Sequence, residues 1–303
     1  MDAAFHQNVY TTLSLIEIMI KPILLYASDF WGCLKLPKDN PVQNLYMSIC
    51  KQILGVQKQT TNIGVLLELG LIPLHIYAVR AAVKNGERLK CQRANELLMD
   101  SYRDAENERL PWFLRIKELL EENGMFSFII NPNTGTQPFI NKKLFQRLSD
   151  TFHQQSFEDI RRESSKLRTY ALLKTVIGFE IYLITIKNPL KRVLVTEFRL
   201  SNHNLMIEKG RHINVPKEMR FCPFCPRAVE TEMHFLLICP TYKVLRTHLF
   251  QHIIRSKPSF EYYTAEFKFL YLLSDDSVYN TSHYISKCFE IREFLTSNPK
   301  RHS

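Results

Sequence analysis

Four metal-ligand residues spaced over a short segment constrain this chain more than any other feature. Cys222, Cys225, His234 and Cys239 have the spacing C-x2-C-x8-H-x4-C. Two thiolates separated by two residues fit a tight knuckle that holds one ion, and a later His and Cys can close a tetrahedron around it. Because a Cys3His set leaves no open coordination position, the spacing predicts one structural Zn2+ and no catalytic metal.

The alternative interpretation is that Cys222 and Cys225 are thiols in a loop and that His234 and Cys239 lie on a buried helix. The closed four-ligand spacing favours the metal. The other four cysteines are each isolated in apolar helical sequence and are interpreted as small core residues: Cys33, Cys50, Cys91 and Cys288. Since four ligands already complete the shell, His203 and His212 are interpreted as structural or surface histidines.

Apolar residues recur mostly at helical spacing. Leu13, Ile16, Ile20, Ile23 and Leu24 form the stripe of a core-facing helix, and alternation typical of strands is scarce. The same period predicts helices over 42–54, 74–89, 111–123, 142–162, 190–200, 242–254 and 279–295. The sequence therefore predicts a mainly α fold.

Turn residues divide this helical sequence into three predicted segments. The richest cluster is Asn131–Pro138, and a second transition lies near His203–Pro216. We therefore expect a helical module over 1–130, a basic helical region over 139–215, and a small zinc knuckle packed with C-terminal helices over 216–303.

Positive charge is concentrated in one stretch of the chain. The net charge is +10, and residues 161–220 contain 13 Lys and Arg against 5 Glu. Such a cluster beside a zinc knuckle favours a polyanionic partner, RNA and/or DNA. The predicted phosphate-contacting residues are Arg168, Lys191, Arg192, Arg199, Lys209, Arg211, Lys217 and Arg220. Interleaved aromatic residues would stack on unpaired bases wherever they are exposed: Tyr170, Phe179, Tyr182, Phe198 and Phe221.

No membrane partner is expected. The most apolar early segment, Leu13–Trp31, is interrupted by Glu17, Lys21 and Asp29, so it does not form an uncharged span of about 20 residues. No signal peptide is recognisable. We therefore expect an intracellular protein, in the nucleus and/or the cytoplasm, with reduced cysteines.

Four short sequence elements follow one another along the second half of the chain: Lys166-Leu167-Arg168-Thr169-Tyr170, Phe198-Arg199-Leu200-Ser201 with His203, Glu208-Lys209-Gly210-Arg211, and the Cys-His spacing ending in Cys239-Pro240. In this order they resemble the C-terminal region of LINE-type (non-LTR) retrotransposon reverse transcriptase polyproteins. Upstream, Lys21-Pro22-Ile23-Leu24-Leu25-Tyr26 and Cys50-Lys51-Gln52-Ile53-Leu54-Gly55 look like the thumb helices that follow the polymerase palm.

The resemblance implies that residues 1–130 are a thumb-like module and that the Cys-His region helps to hold RNA or DNA during target-primed reverse transcription. It also implies the rest of a retroelement polymerase as a partner. Polymerases of this family hold two Mg2+ with palm carboxylates, including an aromatic-x-Asp-Asp hairpin, and no such hairpin precedes Lys21. Asp275-Asp276 is instead predicted to lie between two helices, so no catalysis by this chain alone is expected.

Two further classes of function remain as alternatives. One is a helical protein-interaction scaffold whose zinc serves folding only. The other is a polymerase whose palm is supplied by another chain.

Overall fold

The computed structural model describes residues 8–34, 40–91, 96–125, 137–162 and 166–297. Sixteen α-helices and one two-stranded sheet lie within these ranges, which confirms the mainly α prediction. The helices are α1 Val9–Leu15, α2 Lys21–Leu24, α3 Ser28–Trp31, α4 Pro41–Leu54, α5 Asn62–Leu69, α6 Leu74–Cys91, α7 Glu96–Asn107, α8 Pro111–Glu122, α9 Gln137–Arg161, α10 Arg168–Leu173, α11 Tyr182–Thr185, α12 Pro189–Arg199, α13 Met206–His212, α14 Lys243–Ser256, α15 Ala265–Leu272 and α16 Val278–Ser297. The strands are β1 Phe221–Cys222 and β2 Cys225–Val229.

The sequence did not predict α7, but the seven predicted helices match the structure to within about five residues at each end. Three of them begin with proline, namely α4, α8 and α12, where the missing N–H has no intrahelical partner to lose. Asn188 caps α12, because its Oδ1 accepts a hydrogen bond of 3.1 Å from the backbone N–H of Lys191. Asp275 and Asp276 lie in the turn between α15 and α16, as predicted.

The first apolar stripe is less regular than its period suggests. A π-helical turn, Ile16–Ile20, separates α1 from α2. Leu13 and Ile16 are buried, but Ile23 is 70% exposed. The stripe therefore faces a core only at its beginning.

The described chain forms two compact units. The helical unit comprises Ser14–Ile49 and Leu71–Glu158. The second unit comprises Met1–Leu13, Cys50–Gly70 and Asp159–Ser303, and it is called the metal-bearing unit because it contains the four predicted metal ligands. Each unit is thus assembled from separated stretches of sequence. The three predicted segments are contiguous, and most of the Asn131–Pro138 boundary lies outside the described residues. Those segments stay a prediction.

The helical unit is organised around an apolar core. Helices α6, α8 and α9 contribute buried residues, and Met125 follows α8: the cluster is Val83, Leu120, Met125, Ile140 and Leu144. Gly32, beside α3, lies so close to α6 that an added Cβ would be 2.1 Å from the Ala78 carbonyl oxygen. Close helix packing therefore requires glycine at this position.

The metal-bearing unit has an aromatic core beside the predicted ligands. Phe235, next to His234, lies 5.9 Å from Phe198 of α12, 4.9 Å from Tyr242 and 5.0 Å from Phe289 of α16, between ring centroids. This ring cluster joins the ligand-bearing segment to two helices.

None of the described helices is long and apolar enough by itself to cross a membrane. The bent pair Asn62–Leu69 and Leu74–Leu89 meets that test jointly, by length and composition alone.

Candidate metal centre

The first two predicted ligands lie on a tight hairpin. Strands β1 and β2 pair antiparallel, with Cys222 opposite Cys225 and Phe221 opposite Val229. Only two residues connect the strands, so the two thiols are held near each other. This is the knuckle that the C-x2-C spacing predicts.

A π-helical turn brings the other two predicted ligands together. The backbone N–H of Cys239 donates to the carbonyl oxygen of His234 at 2.8 Å, which closes an i to i+5 turn. In a regular α-helix, residues five apart point to different faces, whereas the wider π turn brings them to nearly the same face. Thr231 fixes the start of this segment, because its Oγ1 accepts from the His234 N–H at 3.1 Å.

The four side chains converge on one point. One potential ligand atom from each of Cys222, Cys225, His234 and Cys239 lies within 4.8 Å of the other three. The Cys239 Sγ is 4.0 Å from the Cys222 Sγ and 3.9 Å from the Cys225 Sγ. With Zn–S bonds of about 2.3 Å, a regular tetrahedron separates its sulfur atoms by about 3.8 Å. The four residues therefore fit a tetrahedral metal ion.

Protonation in this cluster also suits a metal. The Nε2 of His234 is buried and makes no hydrogen bond of ordinary geometry with any described residue. A hydrogen bond with Cys222 lowers the pKa of Cys239, and the same bond raises the pKa of Cys222. An ion that replaces the shared proton would leave all three sulfurs as thiolates.

The cation that contacts Cys239 comes from α14. Arg246 of this helix donates to the carbonyl oxygen of Cys239 at 3.0 Å. Arg220 is close to Cys222 in sequence, but it donates to the carbonyl oxygens of Val215 at 2.9 Å and Ile207 at 2.7 Å.

Two carboxylates between the ligand pairs anchor the knuckle. Glu230 accepts from both guanidinium nitrogens of Arg292 in α16, at 2.5 and 3.0 Å, and from the Met206 N–H at 2.6 Å. Glu232 accepts from Arg168 at 2.5 Å and from His203 at 3.0 Å. Burial opposes ionisation of Glu232, but the hydrogen bond and charge of His203, together with Arg168, lower its pKa to about 2.

A second buried ionic cluster lies on α12. Arg199 donates to Glu68 at 2.7 Å, to Glu180 at 2.6 Å and to the Leu273 carbonyl oxygen at 3.1 Å. Lys174, also buried, donates to Glu180 at 2.5 Å. Glu68 is fully buried, so Arg199 supplies the charge that compensates it.

These contacts correct part of the predicted nucleic-acid surface. Arg192 and Arg199 are each 3% exposed, and Arg192 donates to the Ile186 carbonyl oxygen at 3.1 Å. Arg168 is held by Glu208 and Glu232. Buried or doubly paired guanidiniums are not available to a phosphate without rearrangement, so these three arginines stabilise the fold instead. Arg220 is likewise committed to backbone carbonyls.

The remaining predicted residues reach the surface. Lys209 and Lys217 are exposed and form no ion pair with any described residue. Lys191 is partly exposed and lies 2.7 Å from the Nδ1 of His283. Arg211 pairs with Glu208 at 2.9 Å but keeps 37% of its side chain exposed.

The five aromatic residues that were predicted to stack on bases also differ in how far they are exposed. Tyr170, Tyr182 and Phe198 are buried, whereas Phe221 is 38% exposed. Phe179 packs edge-on against Tyr10 at 6.1 Å. Phe221 is thus the best placed of the five to stack on a base.

The predictions for residues outside the metal shell agree with the structure where it describes them. Cys33, Cys50 and Cys288 are buried, and the side chain of Cys91 lies outside the described residues. His203 is buried against Glu232, and His212 is exposed.

Compared with protein-family models, with curated proteins and with solved structures, the chain shows no match.

Proposed function

We propose that this chain is a zinc-stabilised nucleic-acid-binding module. One observation carries the proposal: the stretch 166–256 of the metal-bearing unit pairs most of its acidic residues internally and leaves lysines on its surface. Residues 166–256 contain 15 Lys and Arg against 6 Glu. Four of those glutamates are in ion pairs inside the unit: Glu180, Glu208, Glu230 and Glu232.

Four exposed cations without such partners lie close to the knuckle in sequence. Lys209 and Lys217 precede it, Arg227 lies on β2, and Lys243 begins α14; all four are exposed. Exposed lysines and arginines neutralise phosphates and release counterions from nucleic acid. Phe221, at the start of β1, offers an exposed ring to an unpaired base.

The sequence elements between Lys166 and Pro240 that resemble LINE-type retrotransposon reverse transcriptases, and the order in which they occur, support an origin in such a protein. In the parent element the module would hold RNA or DNA during target-primed reverse transcription, next to the rest of the polymerase. The proposal includes a nuclear and/or cytoplasmic location and no catalytic activity of the chain alone.

Salt dependence tests the proposal with matched variants. The double variant Lys209→Gln/Lys217→Gln removes two exposed charges near the knuckle, and Lys84→Gln/Lys142→Gln removes two exposed lysines of the helical unit. For duplex DNA, the plot of log affinity against log salt should be shallower by about 1.8 for the first variant. The second variant should keep the slope of the unaltered protein. Equal slopes for all three proteins would contradict the proposed surface.

A protein-interaction scaffold is the second candidate, and the helical unit supports it. Four large apolar side chains between α1 and α3 are at least 70% exposed: Ile18, Ile23, Tyr26 and Phe30. Exposed apolar residues grouped in this way are typical of protein interfaces. A zinc-loaded chain that binds neither RNA nor DNA at low salt would favour the scaffold.

A further inference from the structure

A cavity of about 550 Å³, lined by both polar and apolar groups, lies within the metal-bearing unit. Its size is typical of pockets that bind small molecules. The residues around it include Gln57, Lys166, Asn202, Lys209, His212 and Pro223. The metal centre does not account for this cavity, and of the proposed phosphate surface only Lys209 lines it.

One wall holds a buried hydrogen-bond donor without an acceptor. Asn202 is 8% exposed, and its Oδ1 accepts from the Lys166 Nζ at 3.1 Å. That contact identifies the other amide atom as the Nδ2, which has no partner among the described residues. Because a buried donor without an acceptor is unfavourable, a ligand that supplies an acceptor would remove the penalty.

The charges around the cavity favour an anion. Among the charged residues of the wall, Glu208 is neutralised by Arg168 and Arg211. The remaining charges of the wall that form no ion pair with a described residue are the cations Lys166 and Lys209 and the exposed anion Glu293. Burial lowers the pKa of Lys166, and the nearby Arg211 and Arg168 lower it further against the opposing effect of Glu208. A bound phosphate would stabilise the charged form of this lysine.

The cavity also offers groups that suit a nucleobase. Gln57, Asn202 and Asn204 carry amides that can both donate and accept, as the edges of bases do. Pro223 and Phe289 add apolar surface. Pro223 lies in the turn between Cys222 and Cys225, so the hairpin that carries these two cysteines forms part of the wall.

We propose that this cavity takes one unpaired nucleotide, with its phosphate at Lys166 and Lys209 and its base against the amides of Asn202 and Asn204. The choice of a nucleic-acid strand as the source of that nucleotide rests on the proposed function. A free nucleoside monophosphate has the same chemistry, and the experiment distinguishes the two sources.

Two matched substitutions test the pocket in the full zinc-loaded chain. Lys166→Gln alters the cavity, and Lys217→Gln removes an exposed lysine that does not line it. Fluorescence anisotropy would measure the binding of a labelled ten-nucleotide RNA and of a blunt DNA duplex, with and without competing nucleoside monophosphates. Lys166→Gln should weaken the single strand about tenfold more than Lys217→Gln, and the two should affect the duplex equally.

A second variant separates binding from folding. Asn204 is exposed, lines the cavity and forms no hydrogen bond with a described residue, so Asn204→Ala should keep the melting temperature and zinc content. It should still lower the affinity for the single strand.

The outcomes separate the pocket from the proposed function. Equal effects of Lys166→Gln and Lys217→Gln on the single strand would overturn the pocket while the proposed function stands. Binding of a nucleoside monophosphate that Lys166→Gln weakens, without binding of RNA or DNA, would support the pocket for free nucleotides and overturn the proposed function. No binding of any probe would overturn both.

Discussion

The two units of this protein are stabilised in different ways. In the helical unit, α6, α8 and α9 pack through an apolar cluster, and pairs such as Arg103–Asp100 lie at the surface, with both side chains 63% exposed. In the metal-bearing unit the pairs of Arg199 with Glu68 and of Arg292 with Glu230 are buried beside the aromatic core. Exposed ion pairs contribute little to stability, whereas breaking a buried pair costs several kcal/mol. The stability of the metal-bearing unit therefore depends on particular buried ion pairs, whereas the stability of the helical unit depends on the packing of its apolar residues.

Metal removal should have the largest effect, because it should destabilise the metal-bearing unit and leave the helical unit folded. A structural zinc ion contributes on the order of 10 kcal/mol of apparent binding energy to a small module. Cys222→Ser or a strong chelator should therefore expose Phe221–Ile254 to proteolysis and faster hydrogen exchange, while α6, α7 and α8 of the helical unit keep their protection. Mass spectrometry of the native protein should find one zinc per chain.

The control for this experiment is Cys33→Ala, which removes a buried thiol of the helical unit. It should leave the zinc content unchanged. Unfolding of the whole chain on chelation would contradict the division into units, and no change at all would contradict the metal centre.

A buried arginine should have the next largest effect. Arg199→Met would leave Glu68 and Glu180 without their countercharge, and we expect a loss of about 3–5 kcal/mol in the free energy of unfolding. Urea denaturation measures this loss. Lys209→Met, at an exposed position, should change stability by no more than about 0.5 kcal/mol.

A double variant makes this test sharper. If the cost of Arg199→Met arises from an uncompensated Glu68, adding Glu68→Gln should restore part of the lost stability. Purely additive losses would show that packing of the arginine stem, and not its charge, is responsible.

The smallest expected effect is a pH dependence that arises at Glu197. Burial raises the pKa of this carboxyl to about 7 from its ordinary value of 4.5, although the charge of His203 opposes the shift. The folded chain therefore holds a proton that the unfolded chain releases, so this contribution to stability is present below pH 4.5 and is lost as the pH rises through 7. Its size is on the order of 1–3 kcal/mol.

Glu197→Gln removes the titration. Thermal unfolding should show a variant more stable than the original protein at pH 8 and nearly equal to it at pH 4.5. The exposed Glu218→Gln should show no such difference between the two pH values. A Glu197→Gln variant that gained nothing at pH 8 would contradict the burial of this carboxylate.

Prediction from the sequence succeeded where the signal is local. The recurrence of apolar residues every three or four positions predicted α4, α6, α8, α9, α12, α14 and α16. This spacing matches one turn of an α-helix, so the signal lies within each helix itself. The period did not reveal α7, a 12-residue helix in which only Ala105 is buried. It also did not reveal α10, α11 and α13, which span seven residues or fewer, too few for a period to stand out. Their positions depend on contacts with the rest of the unit.

Gly210 shows why one element of the resemblance has a structural basis. An added Cβ at this position would lie 2.6 Å from the Cγ of Arg220, so glycine allows the Arg220 side chain to cross α13 and reach the Ile207 and Val215 carbonyl oxygens. The sequence contains both residues, but their contact exists only in the folded chain.

The sequence by itself determined the helical class and the four residues that could hold a metal ion, because the helical period and the spacing of thiols and imidazole act over short stretches of chain. Only the tertiary structure decided which charges face solvent. Arg199 and Lys209 are both basic residues of one stretch, yet Arg199 lies among carboxylates from 131 and 19 residues away, and Lys209 is exposed. Burial and pairing depend on residues that are brought together by folding, and a local pattern carries no information about those partners.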